Sequence, residues 1–248
     1  MKSKLTYSIA ALIIVIIIGG FLGYGYYKKA TYKLQRPVVS MEVEGYGTVK
    51  MELYPDMAPN TVKNFVKLVN EGYYNGLTFH RIQEDLIQGG DKQGDGTGST
   101  EYSINGEFAK NNYKENTLSF ERGTVGLARQ DYSYYASMDS SLTEKGYNSG
   151  YAQFFIMAQD QKGYDGYYTA FGKVIEGMDV VDKLTKIETQ TKTDEETGET
   201  STTTTPVNAP VIKNMTVETF GVNYGEPETH KSFDINSWFM SLYGLSQQ

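Results

Sequence analysis

The chain contains no cysteine. That excludes disulfides, thiolate catalysis, cysteine-ligated metal and a lipid anchor through cysteine. Histidine is almost as scarce, with only His80 and His230 among 248 residues. Two histidines make a poor basis for a zinc site, and no motif builds a Ser-His-Asp triad around His80. A basic excess is missing too. Lys and Arg total 23 against 30 Asp and Glu, for a formal net charge of −7 and a pI near 5.0. This speaks against a nucleic-acid partner, because phosphate binding needs a positive face. Against these shortages stand 21 tyrosines and 26 glycines, a composition that favours strands and turns over long helices.

No charged residue falls between Lys4 and Lys28, and Ile9 to Phe21 is almost wholly aliphatic. Tyr24, Tyr26 and Tyr27 follow, where an interfacial aromatic belt would lie. At 1.5 Å per residue, about 20 residues span a bilayer. The run predicts one transmembrane helix within 1–28, or else a signal peptide for which Gly23-Tyr24-Gly25 is the weak cleavage candidate. Either reading places the remaining domain outside the membrane on the extracytoplasmic side, secreted if the segment is cleaved. Residues 29–37 read as a linker ending at Pro37.

From residue 38 the pattern changes. Val39, Met41 and Val43, then Val49, Met51 and Leu53, alternate with polar residues about Gly45-Tyr46-Gly47, which predicts a β-hairpin with one buried face. Pro59 opens a helix with Val62, Phe65, Val66 and Val69 on one stripe. Strands are expected around Phe79–Arg81, Gly123–Ala128, Gln153–Ala158 and Thr169–Val174. A second helix follows over Glu176–Leu184, and a closing strand carries Val211, Met215 and Val217 inward. Many short strands, two modest helices and abundant glycine point to a mainly β antiparallel sheet closed into a barrel. Residues 130–150 form a long tyrosine-bearing loop, and 186–206 a polar ribbon or loop. In the extension 223–248, Ile235, Trp238, Phe239 and Leu242 mark a short amphipathic helix capped by Asp234, expected to dock on the barrel.

The chemistry centres on Phe79-His80-Arg81-Ile82, followed by Gln88-Gly89-Gly90-Asp91. Strand alternation puts Phe79 and Arg81 on one face and His80 on the other. An aromatic beside a guanidinium could hold an apolar ring and polarise the amide next to it. Two rival sites fail. Asp91, Gln93, Asp95 and Glu101 mimic a calcium loop, but the final acid falls at position eleven, not the usual twelfth position. Gly94, Gly96 and Gly98 lack the strand–helix unit of a nucleotide loop.

With Gln153-Phe154-Phe155-Ile156 and Phe171-Gly172-Lys173-Val174 downstream, these runs stand in an order that resembles the cyclophilin-type peptidyl-prolyl isomerases over roughly residues 38 to 222. The resemblance implies a closed eight-stranded antiparallel β-barrel capped by two α-helices. It implies isomerisation of X–Pro bonds in proline-containing polypeptides, with no cofactor and no metal, by a monomer. Arg81, Gln88 and Phe155 match the catalytic positions, with Phe155 as the floor of a proline pocket. Phe79, Leu86, Ala128, Arg129, Gln153, Tyr164 and Tyr168 match the substrate groove. Alternation requires one of Phe154 and Phe155 to face the core and the other the groove. The chain departs from the family between Arg81 and Gln88, which is one residue short. Leu86 stands where methionine is common, and Gly163 where some relatives carry the tryptophan associated with cyclosporin. The other function kept open is a catalytically weak proline-peptide-binding or chaperone module on the cell surface.

Overall fold

The computed structural model describes residues 17–24, 35–98, 101–193 and 200–244. The chain divides into two units, Met1–Gln35 and Arg36–Gln248. In the first, residues 17–24 are helical and exposed. Among the described residues no helix is long and apolar enough to cross a membrane. The expected spanning helix is therefore not found; the other positions of that segment, 1–16 and 25–28, lie outside the described residues.

The second unit begins with β1 (Val38–Val43) and β2 (Gly47–Leu53). Val39 pairs with Met51 and Met41 with Val49, so the apolar positions of both strands form one buried face. Helix α1 (Pro59–Asn70) buries Val62, Phe65, Val66, Leu68 and Val69 against that face's core. Its N-cap residue is Ala58, which offers no side-chain acceptor. The carboxylate of Glu107 supplies one from a distance, accepting the N–H groups of Asn60 at 2.9 Å and Thr61 at 2.8 Å. A helix start leaves such N–H groups unpaired and carries partial positive charge, so a carboxylate suits the place. Burial nonetheless lifts the Glu107 carboxyl above the ordinary carboxylate range.

The remaining strands are β3 (Thr78–Ile82), β4 (Leu86–Asp91), β5 (Thr124–Leu127), β6 (Phe154–Met157), β7 (Thr169–Glu176), β8 (Thr189–Thr193), β9 (Thr200–Pro206) and β10 (Ile212–Glu218). Eight of the ten strands among the described residues form one antiparallel sheet in the order β10-β1-β2-β7-β5-β6-β4-β3. The sheet curls without closing. Its terminal strands β10 and β3 share no ladder and meet at a single bridge, Thr78 to Val211. Phe79 N–H donates to the carbonyl of Pro210 at 3.0 Å, but proline has no N–H to return and the ladder stops there. The expected closed barrel is thus a half-barrel. On β10 a register shift between Glu42 and Val43 of β1 breaks the expected alternation, and Ile212 with Met215, not Val211, is buried.

Strands β8 and β9 pair as a separate two-stranded ribbon. The inserted loop carries helix α2 (Ser141–Tyr147), which the residue pattern did not announce; helix α3 (Met178–Leu184) follows β7. Helix α4 (Ile235–Leu242) is capped by Asp234, which accepts the N–H groups of Asn236 and Ser237. It docks on the inserted loop and not on the sheet: Phe239 and Trp238 pack on Tyr135 at ring separations of 5.0 and 6.3 Å, and Leu242 stays exposed.

Candidate active site

Five strands place the site. Arg81 on β3 pairs with Gln88 on β4, Gln88 with Phe155 on β6, Phe155 with Gly126 on β5, and Gly126 with Ala170 on β7. Directly opposed residues share a face, so these five stand in one transverse row on the outer side of the curl. At about 4.8 Å between strands, Arg81 begins roughly 10 Å from Phe155, within reach of a long side chain.

The two faces sort the aromatics. Phe154 joins the main core with Phe65, Tyr74 and Phe79. Phe155 faces the other way, into a second apolar cluster with Leu86, Phe120, Met157 and Ala170, against which Leu118, Ala128, Tyr164 and Tyr168 pack. The Phe155 ring stacks on Phe120 at 5.5 Å and 21° and meets Tyr164 and Tyr168 edge-on at 6.0 and 5.8 Å. Together they make an aromatic cluster on the outer face of the curl, with Phe155 at 3 % exposure and Tyr164 and Tyr168 half-buried beside it. Burial raises the Tyr164 hydroxyl above its ordinary pKa, so that group is neutral.

A chain of amides fixes the polar rim. Arg81 Nη1 donates to Gln88 Oε1 at 3.0 Å, Gln88 Nε2 donates to Gln153 Oε1 at 2.9 Å, and Gln153 Nε2 donates to the Gly96 carbonyl at 3.1 Å. Gln88, Ala128, Arg129 and Gln153 line a neighbouring cavity of about 200 Å³. The Ala128 N–H donates to the Gln153 carbonyl at 2.9 Å, so that donor serves the fold.

One expectation needs correction. Phe79 does not hold a ligand ring: it is fully buried in the main core, while Arg81 stands on the outer face. The register shift between Phe79 and Arg81 inserts a bulge at His80, and a bulge cancels the alternation on which the shared face depended. The Arg129 side chain is engaged within the chain. Its guanidinium lies over the rings of Tyr168 at 4.5 Å and Tyr147 at 5.0 Å and donates through Nε to the Tyr167 carbonyl at 3.0 Å. It braces Tyr168 from behind.

Residue patterns missed Phe120 and Gln83. Phe120 lies in an irregular segment, its N–H held by Asp165 at 2.7 Å, where no periodicity could mark it. Met157 was legible as the second residue beyond Phe155 on the same strand face.

The half-barrel sets an arginine in one transverse row with an aromatic cluster on its outer face. The family model described as cyclophilin type peptidyl-prolyl cis-trans isomerase matches residues 38–217. Peptidyl-prolyl cis-trans isomerase B of Bacillus subtilis is 37% identical over 138 residues, 55% of this chain and 82% of that protein. A probable peptidyl-prolyl cis-trans isomerase of Brucella suis is 38% identical over 153 residues, 56% of this chain and 67% of that one. A crystal structure of a Cryptosporidium parvum cyclophilin type isomerase superposes with a TM-score of 0.57 at 27% identity, covering 75% of this chain and 99% of its own. The same isomerase in the presence of the dipeptide Ala-Pro gives a TM-score of 0.55 at 27% identity, covering 73% and 99%. The chain belongs to the cyclophilin-type peptidyl-prolyl cis-trans isomerase family, and its activity is isomerisation of the peptide bond before proline.

Proposed function

We propose that Arg81 is the catalytic group and that the aromatic cluster floored by Phe155 forms a shallow dish that receives the proline ring. Rotation about an X–Pro bond is opposed by amide resonance, a barrier of about 18–20 kcal/mol. Neither a nucleophile nor a proton relay is needed to lower it. The site has to bind the twisted amide better than either planar isomer. As the bond twists, the prolyl nitrogen pyramidalises and becomes a better acceptor. A guanidinium held beside it then gains a hydrogen bond that the planar states lack. Arginine suits this role because it stays charged and presents a rigid fork of donors. Phe155 and Tyr164 face the ring, with Phe120 and Leu86 packed behind them, while Gln88 and Gln153 set the guanidinium and the chain path.

The observation that carries this reading is the transverse row that sets Arg81 and Gln88 beside the Phe155 floor. A hydrogen bond to a charged group is worth about 1.5–3 kcal/mol. Removing it in Arg81→Ala therefore lowers kcat/KM by about 10- to 150-fold in a protease-coupled isomerase assay. An Arg81→Ala rate equal to wild type refutes the assignment. We further propose that the clients are exported polypeptides met on the extracytoplasmic side. The uncharged run between Lys4 and Lys28 supports this. Protease treatment of intact cells should degrade the domain, and full protection would exclude the location.

A further inference from the structure

Arg81 is gripped from two sides. Besides the bond to Gln88, its Nη2 donates to Gln83 Oε1 at 2.6 Å. Gln83 opens the three-residue connection Gln83-Glu84-Asp85 between β3 and β4, and its own N–H is anchored on the Leu86 carbonyl at 2.9 Å. The shortened connection thus turns a side-chain amide back over the arginine. Each terminal nitrogen of the guanidinium spends one N–H on an amide oxygen and keeps a second, with the Nε–H besides. Two anchor points fix the plane of the group, where one would leave it free to swing.

The chemistry of the anchors matters as much as their number. Both are neutral amides, and none of the ion pairs among the described residues includes Arg81. An amide oxygen orients the guanidinium without cancelling its charge. A carboxylate in the same place would form a bidentate pair and compete with a weakly basic imide nitrogen. The next two residues, Glu84 and Asp85, are acids, so the neutral one of the three is the one that touches the arginine.

We propose that Gln83 is a positioning residue for the isomerisation, holding the Arg81 guanidinium in plane while leaving its charge available to the twisting amide. The inference rests on the assignment of Arg81 as the catalytic group. It is tested on the full-length chain with a proline tetrapeptide substrate, comparing wild type, Gln83→Leu, the isosteric Gln83→Glu and Arg81→Ala. Gln83→Leu should lower kcat about tenfold with KM within twofold, because the Phe155 floor is untouched, and should merge the separate guanidinium NMR signals of Arg81 through free rotation. Gln83→Glu should keep those signals resolved and still lower kcat. A structural role alone would move neither the signals nor the split between kcat and KM. Where Gln83→Leu does not fold, the isosteric variant decides. If Arg81→Ala is inactive while both Gln83 variants turn over like wild type, this inference falls and the Arg81 assignment stands. If Arg81→Ala is fully active, the assignment itself falls and takes the inference with it.

Discussion

Gly126→Ala is a sharp test of the dish. Gly126 lies under the floor, opposite Phe155 on β6 and Ala170 on β7. A Cβ added there would come within 2.3 Å of Phe155 Cζ and 2.7 Å of Phe120 Cε1. Carbon atoms in contact sit about 3.5–4.0 Å apart, so the stacked rings must retreat by about 1 Å. Overpacking of this kind costs about 1–3 kcal/mol of stability. The loss of function should be larger in proportion, because a misplacement of about 1 Å can cost on the order of 10²-fold in rate. The measurements are the urea midpoint and kcat/KM, with Gly163→Ala as control. The nearest neighbour of a Cβ at Gly163 is Gln161 Oε1 at 3.5 Å, at the end of a flexible side chain. The control should stay within about 0.5 kcal/mol of wild type and keep full activity. A Gly126→Ala protein with unaltered stability and kcat/KM would refute the placing of Phe155 and Phe120 over β5.

Other outcomes follow from the same contacts. Glu107→Ala strips α1 of its only carboxylate cap, and equilibrium urea unfolding should register a loss of about 1–2 kcal/mol. His80 is buried, and burial lowers its pKa below the ordinary 6.5 despite Asp91 and Asp95 nearby, with Arg81 acting in the same direction as burial. A base with a depressed folded-state pKa contributes stability that is complete above 6.5 and is lost as pH falls through the lower folded value. Denaturation midpoints of wild type should therefore drop on acidification more than those of His80→Gln; parallel curves would remove the effect. Arg129→Ala removes the cation from behind Tyr168 at 4.5 Å, worth about 0.5–1 kcal/mol at a partly exposed site, and should raise KM more than it lowers kcat. An unchanged KM would show that Tyr168 keeps its place without the brace.

Much of the site is legible in the residues because local rules hold there. That Phe154 and Phe155 face opposite ways follows from strand alternation, which of them is outward from the family resemblance, and α1 from its apolar stripe and Pro59. The failures share a cause. Strand alternation predicts the wrong face for Phe79 and for Val211, and each lies beside a register shift that the residues do not announce. Closure of the barrel is a tertiary question: the meeting of β3 and β10 stops at the Thr78–Val211 bridge, where Pro210 offers no N–H on one side and Leu77 turns its N–H to Tyr74 on the other. Helix α2 buries only Leu142 and Gly146, too little to leave an apolar stripe. Gln83 was hidden because an amide two residues from an arginine looks like any loop glutamine until the short connection folds it back.

The central claim is that one guanidinium speeds a bond rotation that the dish alone does not. Exchange NMR on an Ala-Pro peptide measures binding and isomerisation in one sample. With Arg81→Ala the peptide should still shift the Phe155 and Tyr164 resonances at similar affinity, while cis–trans exchange slows by at least about tenfold. Exchange as fast as wild type at equal occupancy would contradict the account.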